Sequence, residues 1–221
     1  CATTVGAKAM FAGGSGSSVV DVYDDANGLW STMSLPTAGG ATRALSIGSK
    51  ALFSNGTAVD IYDDSTGVWT STALPTGQSE FNVTALGSVV YFVGSFGSVQ
   101  VFDTATAQWS SITLPTYHPG VPDAASVGSR VLFAGGGRST IFGSNFTTAV
   151  DIYDGATASW RLANLSVARS SMGTATVRSR ALFAGGIFSC SSMLTICFST
   201  HRVDIYDADT DTWSASSLSE D

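Results

Sequence analysis

Apolar and polar positions along the chain follow one pattern that returns five times. In residues 130–160 an apolar run ends in glycines (Val131-Leu132-Phe133-Ala134-Gly135-Gly136). A loop follows, then an alternating run (Val150-Asp151-Ile152-Tyr153-Asp154), then a polar turn closed by Trp160. The same order stands at 10–30, 52–69, 91–109 and 182–213. In every copy an aromatic-Asp pair precedes the Trp at a fixed distance: Tyr23/Trp30, Tyr62/Trp69, Phe102/Trp109, Tyr153/Trp160 and Tyr206/Trp213 are each seven apart. Composition alone does not produce that coincidence five times, so the chain is built of internal repeats.

Each repeat predicts four short strands. The first is small and apolar (Ala44-Leu45-Ser46-Ile47), and a tight turn leads to the second (Ala51-Leu52-Phe53). Gly48-Ser49 and Gly128-Ser129 suit two-residue hairpin loops of type II′, which need a positive φ at the first central residue. The fifth copy has Arg178-Ser179 there, which predicts a different turn. The third strand is Val-Asp-Ile-Tyr, whose period of two sends successive side chains to opposite faces. Residues 25–28 and 63–67 carry turn chemistry. The fourth strand starts at the Trp and ends at Leu-Pro (Leu35-Pro36, Leu74-Pro75, Leu114-Pro115), or at Leu165-Ser166 and Leu218-Ser219. No helical periodicity of useful length is present.

Four strands per unit at about 40–50 residues is the signature of a β-propeller. The expected fold is all-β, with four-stranded antiparallel blades in one domain over 1–221, complete or part of a larger propeller. Its repeats run at about 1–40, 41–80, 81–120, 121–168 and 169–221. Trp spacings of 39, 40, 51 and 53 place insertions in the last two copies, at 137–148 and 187–202, between second and third strands. Aligning Val5-Gly6 with Val177-Arg178 puts Cys1 at the place of Gly173, so the first repeat is expected to enter in mid-strand, as part of something longer.

The glycine pair after an apolar strand, then Tyr-Asp, then Trp, resembles the kelch repeat over nearly the whole chain. The second copy departs from it with Ser54-Asn55-Gly56 and the third with Gly94-Ser95. Glycines there let backbones approach closely, and each Trp can bury about 150–250 Å². All five Trp and the aromatic-Asp pairs are therefore expected to pack between blades and cap turns. Some kelch-like propellers resemble galactose oxidase, whose copper site needs two His, two Tyr and a Cys. Here the histidines are His118 and His201, neither near a matching motif. His118 reads as a solvated or capping loop residue. The segment 63–69 has Gly and Ser at the wrong offsets for a sialidase box, and 207–211 lacks the Gly and distal Glu of a calcium loop, leaving a solvated acidic turn. No carboxylate pair, Ser-His-Asp order or phosphate-binding loop stands out. The expectation is no catalytic residue, no metal and no cofactor.

Composition narrows the function. Charged residues make up 12% of the 221, against about 25% in ordinary domains. A net charge of −7 with ten Lys and Arg argues against nucleic acid, which needs a basic footprint. No apolar run approaches the roughly 18 residues of a membrane span. There is no initiator Met and no signal pattern at the start, which reads as a mature or trimmed product. Four of the five asparagines open Asn-x-Ser/Thr sequons: Asn55, Asn82, Asn145 and Asn164. N-glycosylation in a secretory pathway accounts for the solubility of so weakly charged a surface. Cys190 and Cys197 share the fifth insertion and are expected to bond. Cys1 is left over, for removed residues, another chain or a lipid.

The expected function is therefore a non-catalytic, extracellular (secreted or cell-surface) glycoprotein, a building block of a coat, sheath or fibre. Its expected partners are covalent N-glycans and other protein subunits, copies of itself in a polymer among them. The alternative is the glycan- or substrate-binding propeller of a larger secreted enzyme such as a carbohydrate oxidase. Topology further predicts that all four sequons and both insertions share one face. Lys8, Lys50, Arg130, Arg178 and Arg180, interleaved with Asp25, Asp64, Asp154 and Asp209, would then form a sugar-free docking face opposite.

Overall fold

The computed structural model describes residues 1–13, 16–37, 39–76, 81–140, 143–190 and 196–219, so part of each long insertion lies outside the described residues. The chain divides into two compact units, Cys1–Ser79 and Glu80–Asp221, and the division falls between the second and third repeats. The first unit holds two four-stranded antiparallel sheets. The first sheet is β1 (Ala2–Val5), β2 (Lys8–Ala12), β3 (Val19–Asp24) and β4 (Leu29–Ser34). The second is β5 (Arg43–Ile47), β6 (Lys50–Ser54), β7 (Ala58–Asp63) and β8 (Val68–Ala73).

The second unit holds three such sheets. The third sheet is β9 (Asn82–Leu86), β10 (Val89–Val93), β11 (Ser98–Asp103) and β12 (Gln108–Thr113), with a 3-10 turn at Ser95–Gly97. Next come β13 (Asp123–Val127) and β14 (Arg130–Ala134), then an inserted hairpin of β15 (Gly137–Thr140) and β16 (Gly143–Phe146). The fourth sheet closes with β17 (Ala149–Asp154) and β18 (Ser159–Asn164). The fifth repeats this plan: β19 (Gly173–Val177), β20 (Arg180–Ala184), an inserted hairpin of β21 (Ile187–Cys190) and β22 (Cys197–Ser199), then β23 (Arg202–Asp207) and β24 (Thr212–Ser217). Each four-stranded sheet is an up-and-down meander, so the chain is all-β as expected.

Register explains the constant seven-residue spacing. Tyr23↔Trp30, Tyr62↔Trp69, Phe102↔Trp109, Tyr153↔Trp160 and Tyr206↔Trp213 are directly opposed on the third and fourth strands. Their rings pack against each other at a tilt of 39–49°, with centroids 4.8–5.3 Å apart. Each hairpin between them reverses through a left-handed residue: Gly28, Gly67, Ala107, Ala158 or Asp211, with φ of 52–71°. One residue more or less would move the Trp to the other face.

The first hairpin of each sheet turns through a positive φ at Gly6, Gly48, Gly87 and Gly128, as the two-residue loops require. The different turn expected at Arg178-Ser179 does not occur. Val177 still pairs with Arg180, and Arg178 itself takes φ 52°. The sheet register overrides the cost of roughly 1–2 kcal/mol for a non-glycine residue in that region. The Gly135-Gly136 and Gly185-Gly186 pairs are demanded by their surroundings. All four have positive φ, and a Cβ on Gly135 would stand 2.3 Å from the Arg169 carbonyl oxygen.

Sheets pack face to face within each unit. Val5, Met10, Val20 and Val22 of the first sheet bury against Phe53, Tyr62 and Trp69 of the second. Val93 and Val99 of the third bury against Phe133 and Trp160 of the fourth. Leu132, Val150 and Ile152 of the fourth bury against Phe183, Tyr206 and Trp213 of the fifth. In these three interfaces the Trp faces the sheet that precedes it. Trp30 departs from the expected burial: it is 64% exposed, because its face of the first sheet carries no neighbouring sheet inside the first unit.

Candidate functional site

Burial of charge in this fold follows the repeat. The Asp of Val-Asp-Ile-Tyr lies in the middle of the third strand and is buried at Asp60, Asp151 and Asp204. A buried carboxylate needs donors, and they come from the connection that follows the preceding sheet. Thr37 donates to Asp60 Oδ2 from its backbone N–H (3.2 Å) and its hydroxyl (2.7 Å). Thr116 does the same to Asp151 Oδ2, at 3.1 and 2.8 Å. Ser166 donates to both oxygens of Asp204 at 3.1 Å. The Leu before each donor (Leu35, Leu114, Leu165) is buried at the same joint.

The remaining capacity is filled differently in each copy. Asp60 accepts the Ser71 hydroxyl at 2.6 Å from the neighbouring strand. At Asp151 the opposed residue is Leu162, and among the described residues Asp151 Oδ1 has no hydrogen-bond partner. Four residues after the buried Leu, His118 and Arg169 reach in beneath the next sheet, each wholly buried. His118 Nε2 lies 3.0 Å from Asp151 Oδ2 and Nδ1 lies 2.6 Å from the Gly135 carbonyl oxygen. Both ring nitrogens thus lie within hydrogen-bond distance of oxygen atoms. Arg169 Nη2 meets Asp204 Oδ2 at 2.6 Å. Of the two readings expected for His118, solvated or capping, burial rules out the first, and the ring meets a backbone carbonyl; His201 is exposed. These groups are sealed from solvent and lock each connection to the next sheet.

Asp123, at the start of β13, extends this buried network. It accepts the Met172 N–H at 2.9 Å and the Asn82 Nδ2 at 3.1 Å. Burial pushes its pKa up to about 6, against the opposing pull of those hydrogen bonds.

The expected docking edge carries most of its charges already paired. Lys8 Nζ meets Asp64 at 2.6 Å, joining the first two sheets, and this hydrogen bond raises the lysine pKa. Arg130 reaches from the fourth sheet to the Tyr206 hydroxyl and the Ala208 carbonyl of the fifth, and also pairs with Asp154. Arg161 clasps Asp211 with two nitrogens and pulls its carboxyl down to about 2. The acidic turn at 207–211 is thus an inter-sheet joint rather than a merely solvated loop. Arg180 differs: among the described residues it pairs with Asp207 of its own sheet, and its side chain is 61% exposed. An open pocket lined by Val177, Arg178, Ser179, Arg180 and Asp209 adjoins it.

The sequons stand at the other strand ends of their own sheets or in the insertion there. Asn145 lies on β16 and is exposed; Asn164 ends β18, also exposed. Asn55 lies in the loop from β6 to β7, where its Oδ1 accepts the N–H groups of Thr57 and Ala58. Asn82 begins β9, but its Nδ2 is spent on the Pro122 carbonyl (3.0 Å) and Asp123. Cys190 and Cys197 form the expected disulfide, as opposed residues of β21 and β22. Cys1 is a free, exposed thiol. Ser144 of the first inserted hairpin hydrogen-bonds Cys190 of the second, so the two insertions brace each other.

One surface feature escaped the sequence. Phe96, at φ 60° in the 3-10 turn, stacks on Tyr117 with centroids 6.4 Å apart and an interplanar angle of 19°. Both are at least half exposed, and the Arg138 guanidinium lies 5.8 Å from the Phe96 ring centre. A positive φ at a bulky residue is an outlier, and no motif marks it. Among the described residues no three His, Cys, Asp or Glu side chains group as metal ligands, and no helix is long and apolar enough to cross a membrane. No protein-family model matches the chain, and no curated protein matches it.

Proposed function

We propose that the chain is a kelch-type β-propeller region of an extracellular N-glycoprotein, without catalytic residues or cofactor, acting as a building block of a coat, sheath or fibre. The observation that carries this reading is the position of the sequons. Asn145 is exposed on the hairpin inserted in the fourth repeat, which hydrogen-bonds the disulfide-closed hairpin of the fifth, and Asn164 is exposed at the end of β18. A disulfide suits an oxidising compartment, and glycans would cover a surface with few charges. The meander sheets, the Trp that faces the preceding sheet and the glycine pairs support the kelch propeller. Subunit contact then falls to surfaces away from the sugars, with copies of the chain as partners. Intact-mass analysis of native material before and after glycosidase treatment tests the reading. A mass loss of whole N-glycans is expected, and an unchanged mass overturns it.

A second reading rests on Phe96, Tyr117 and Arg138: the propeller binds a carbohydrate as part of a larger secreted enzyme. Exposed aromatic rings offer flat apolar faces with a polar neighbour. Protection of Tyr117 from chemical modification by oligosaccharides would favour it over the structural role.

A further inference from the structure

We infer that the glycan carried by Asn145 folds back onto the exposed rings of Phe96 and Tyr117, so that this aromatic pair seats the chain's own N-linked sugar. The inference rests on the reading of the chain as an N-glycoprotein and gives one of its sugars a fixed place on the protein.

Strand register sets where that sugar starts. Asn145 on β16 lies directly opposite Arg138 on β15. Directly opposed residues send their side chains to the same face, with Cβ atoms about 4.5–5.5 Å apart. From that face the Arg138 guanidinium reaches the Phe96 ring, 5.8 Å from its centre. Ser144, next to Asn145, takes the other face, where it hydrogen-bonds Cys190 of the fifth repeat's hairpin. A glycan leaving the Asn145 amide therefore starts beside Arg138, on the side of the two rings and not on that of the disulfide-closed hairpin.

The rings are held in place before any sugar arrives. Phe96 stacks on Tyr117, yet the two are 50% and 63% exposed. The Phe96 N–H donates to the Gly120 carbonyl at 3.1 Å. Gly120 in turn lies so close to β15 that a Cβ on it would stand 2.2 Å from the Gly137 carbonyl oxygen. The turn at Ser95–Gly97, the connection bearing Tyr117 and the start of β15 are thus tied together. Their cost is two rings facing water and a positive φ at Phe96, the kind of strain that clusters at ligand clamps.

A sugar suits this surface chemically. A pyranose offers a face of C–H groups to an aromatic ring, and hydroxyl and acetamide oxygens that accept from a guanidinium. A dissolved sugar must give up its translational freedom to reach two rings and one cation. A sugar bonded to Asn145 has already lost that freedom, so its contact is intramolecular and its effective concentration is high. This difference favours the tethered sugar over a carbohydrate from solution.

The test uses the full chain secreted from a eukaryotic host, with glycopeptide mapping to record which sequons are filled. Nitration of Tyr117 should run at least about threefold slower in this material than after enzymatic removal of the glycans under native conditions. Asn145→Gln should abolish the protection, and Asn164→Gln should keep it. In Phe96→Ala and Tyr117→Ala, endoglycosidase should release the Asn145 glycan faster, while the Asn164 glycan, the internal control, leaves at an unchanged rate. Equal nitration with and without sugar on Asn145 overturns the inference and leaves the N-glycoprotein reading standing. So does an empty Asn145 beside a filled Asn55 or Asn164. Empty sequons throughout, on native material as well, overturn both. Equal protection of the sugar-free chain by dissolved oligosaccharide would assign the rings to a foreign carbohydrate and overturn the inference too.

Discussion

Asp151 and Leu162 lie directly opposite on β17 and β18, and this pairing leaves the buried Asp151 Oδ1 without a donor. At the matching place in the second sheet Ser71 supplies that donor to Asp60. Leu162 is 63% exposed, so it contributes little to the core. Leu162→Ser should stabilise the chain by about 0.5–1.5 kcal/mol, read as a raised midpoint in urea. Leu162→Ala, which adds no donor, should not.

The tryptophans separate by position. Trp160→Ala removes a ring packed between the third and fourth sheets and should cost about 3 kcal/mol or more. Trp30→Ala removes an exposed ring and should cost under about 1 kcal/mol in the dissociated chain. Equal losses in the two variants, measured by denaturant unfolding at low concentration, would contradict the packing described.

Asp123 binds its proton more tightly in the folded chain than in the unfolded one, because burial raises its pKa to about 6. From about pH 4 to about pH 6 the unfolded chain has lost this proton and the folded chain retains it. Stability from this group therefore falls with rising pH across that window, by at most roughly 3 kcal/mol, and is flat above it. Asp211, held down at about 2, acts in the opposite sense and at lower pH. The Asp123→Asn chain should lack the decline between pH 4 and 6 seen in the parent.

Asn82 is expected to remain free of sugar on native material, whereas Asn145 and Asn164 carry it. Its Nδ2 is the atom a glycan would occupy, and it already donates to Pro122 and Asp123. Glycopeptide mapping decides this site by site. Asn82→Ala should also destabilise by about 1–3 kcal/mol through the acceptors it leaves buried.

Reduction of Cys190–Cys197 should act locally. The bond closes a short loop, with a sequence separation of 7, worth about 2–3 kcal/mol in the chain-entropy account. Peptide mapping without reductant should recover these two cysteines linked and Cys1 as a thiol; a link from either to Cys1 would refute the pairing.

The four strands of each repeat, their hairpin positions and the disulfide were legible because each depends on local chemistry; the two hairpins inside the insertions were not. The Tyr–Trp offset reports a register, and the glycine pairs report backbone conformations that other residues resist. The Asp60, Asp151 and Asp204 joints were hidden because donor and acceptor are 23–38 residues apart. Their signal was present all the same, as a charge in the middle of an apolar strand and a hydroxyl after each buried Leu. His118 and Arg169 were unreadable for another reason: only the fold reveals that the place four residues after that Leu is enclosed. Arg178 misled because glycine preference is a tendency that the pairing of β19 with β20 can overrule.

The joints between sheets also have a direction in time. In each one seen within a unit, the hydroxyl donor and the apolar bed come from the earlier sheet, the Asp and the Trp from the later. Synthesis releases the earlier sheet first, so each new carboxylate emerges to find the donors of the preceding connection already made, and Asp60 gains Ser71 afterwards from its own sheet. Synthesis can therefore add one sheet at a time within a unit without leaving a new carboxylate to wait for its connection.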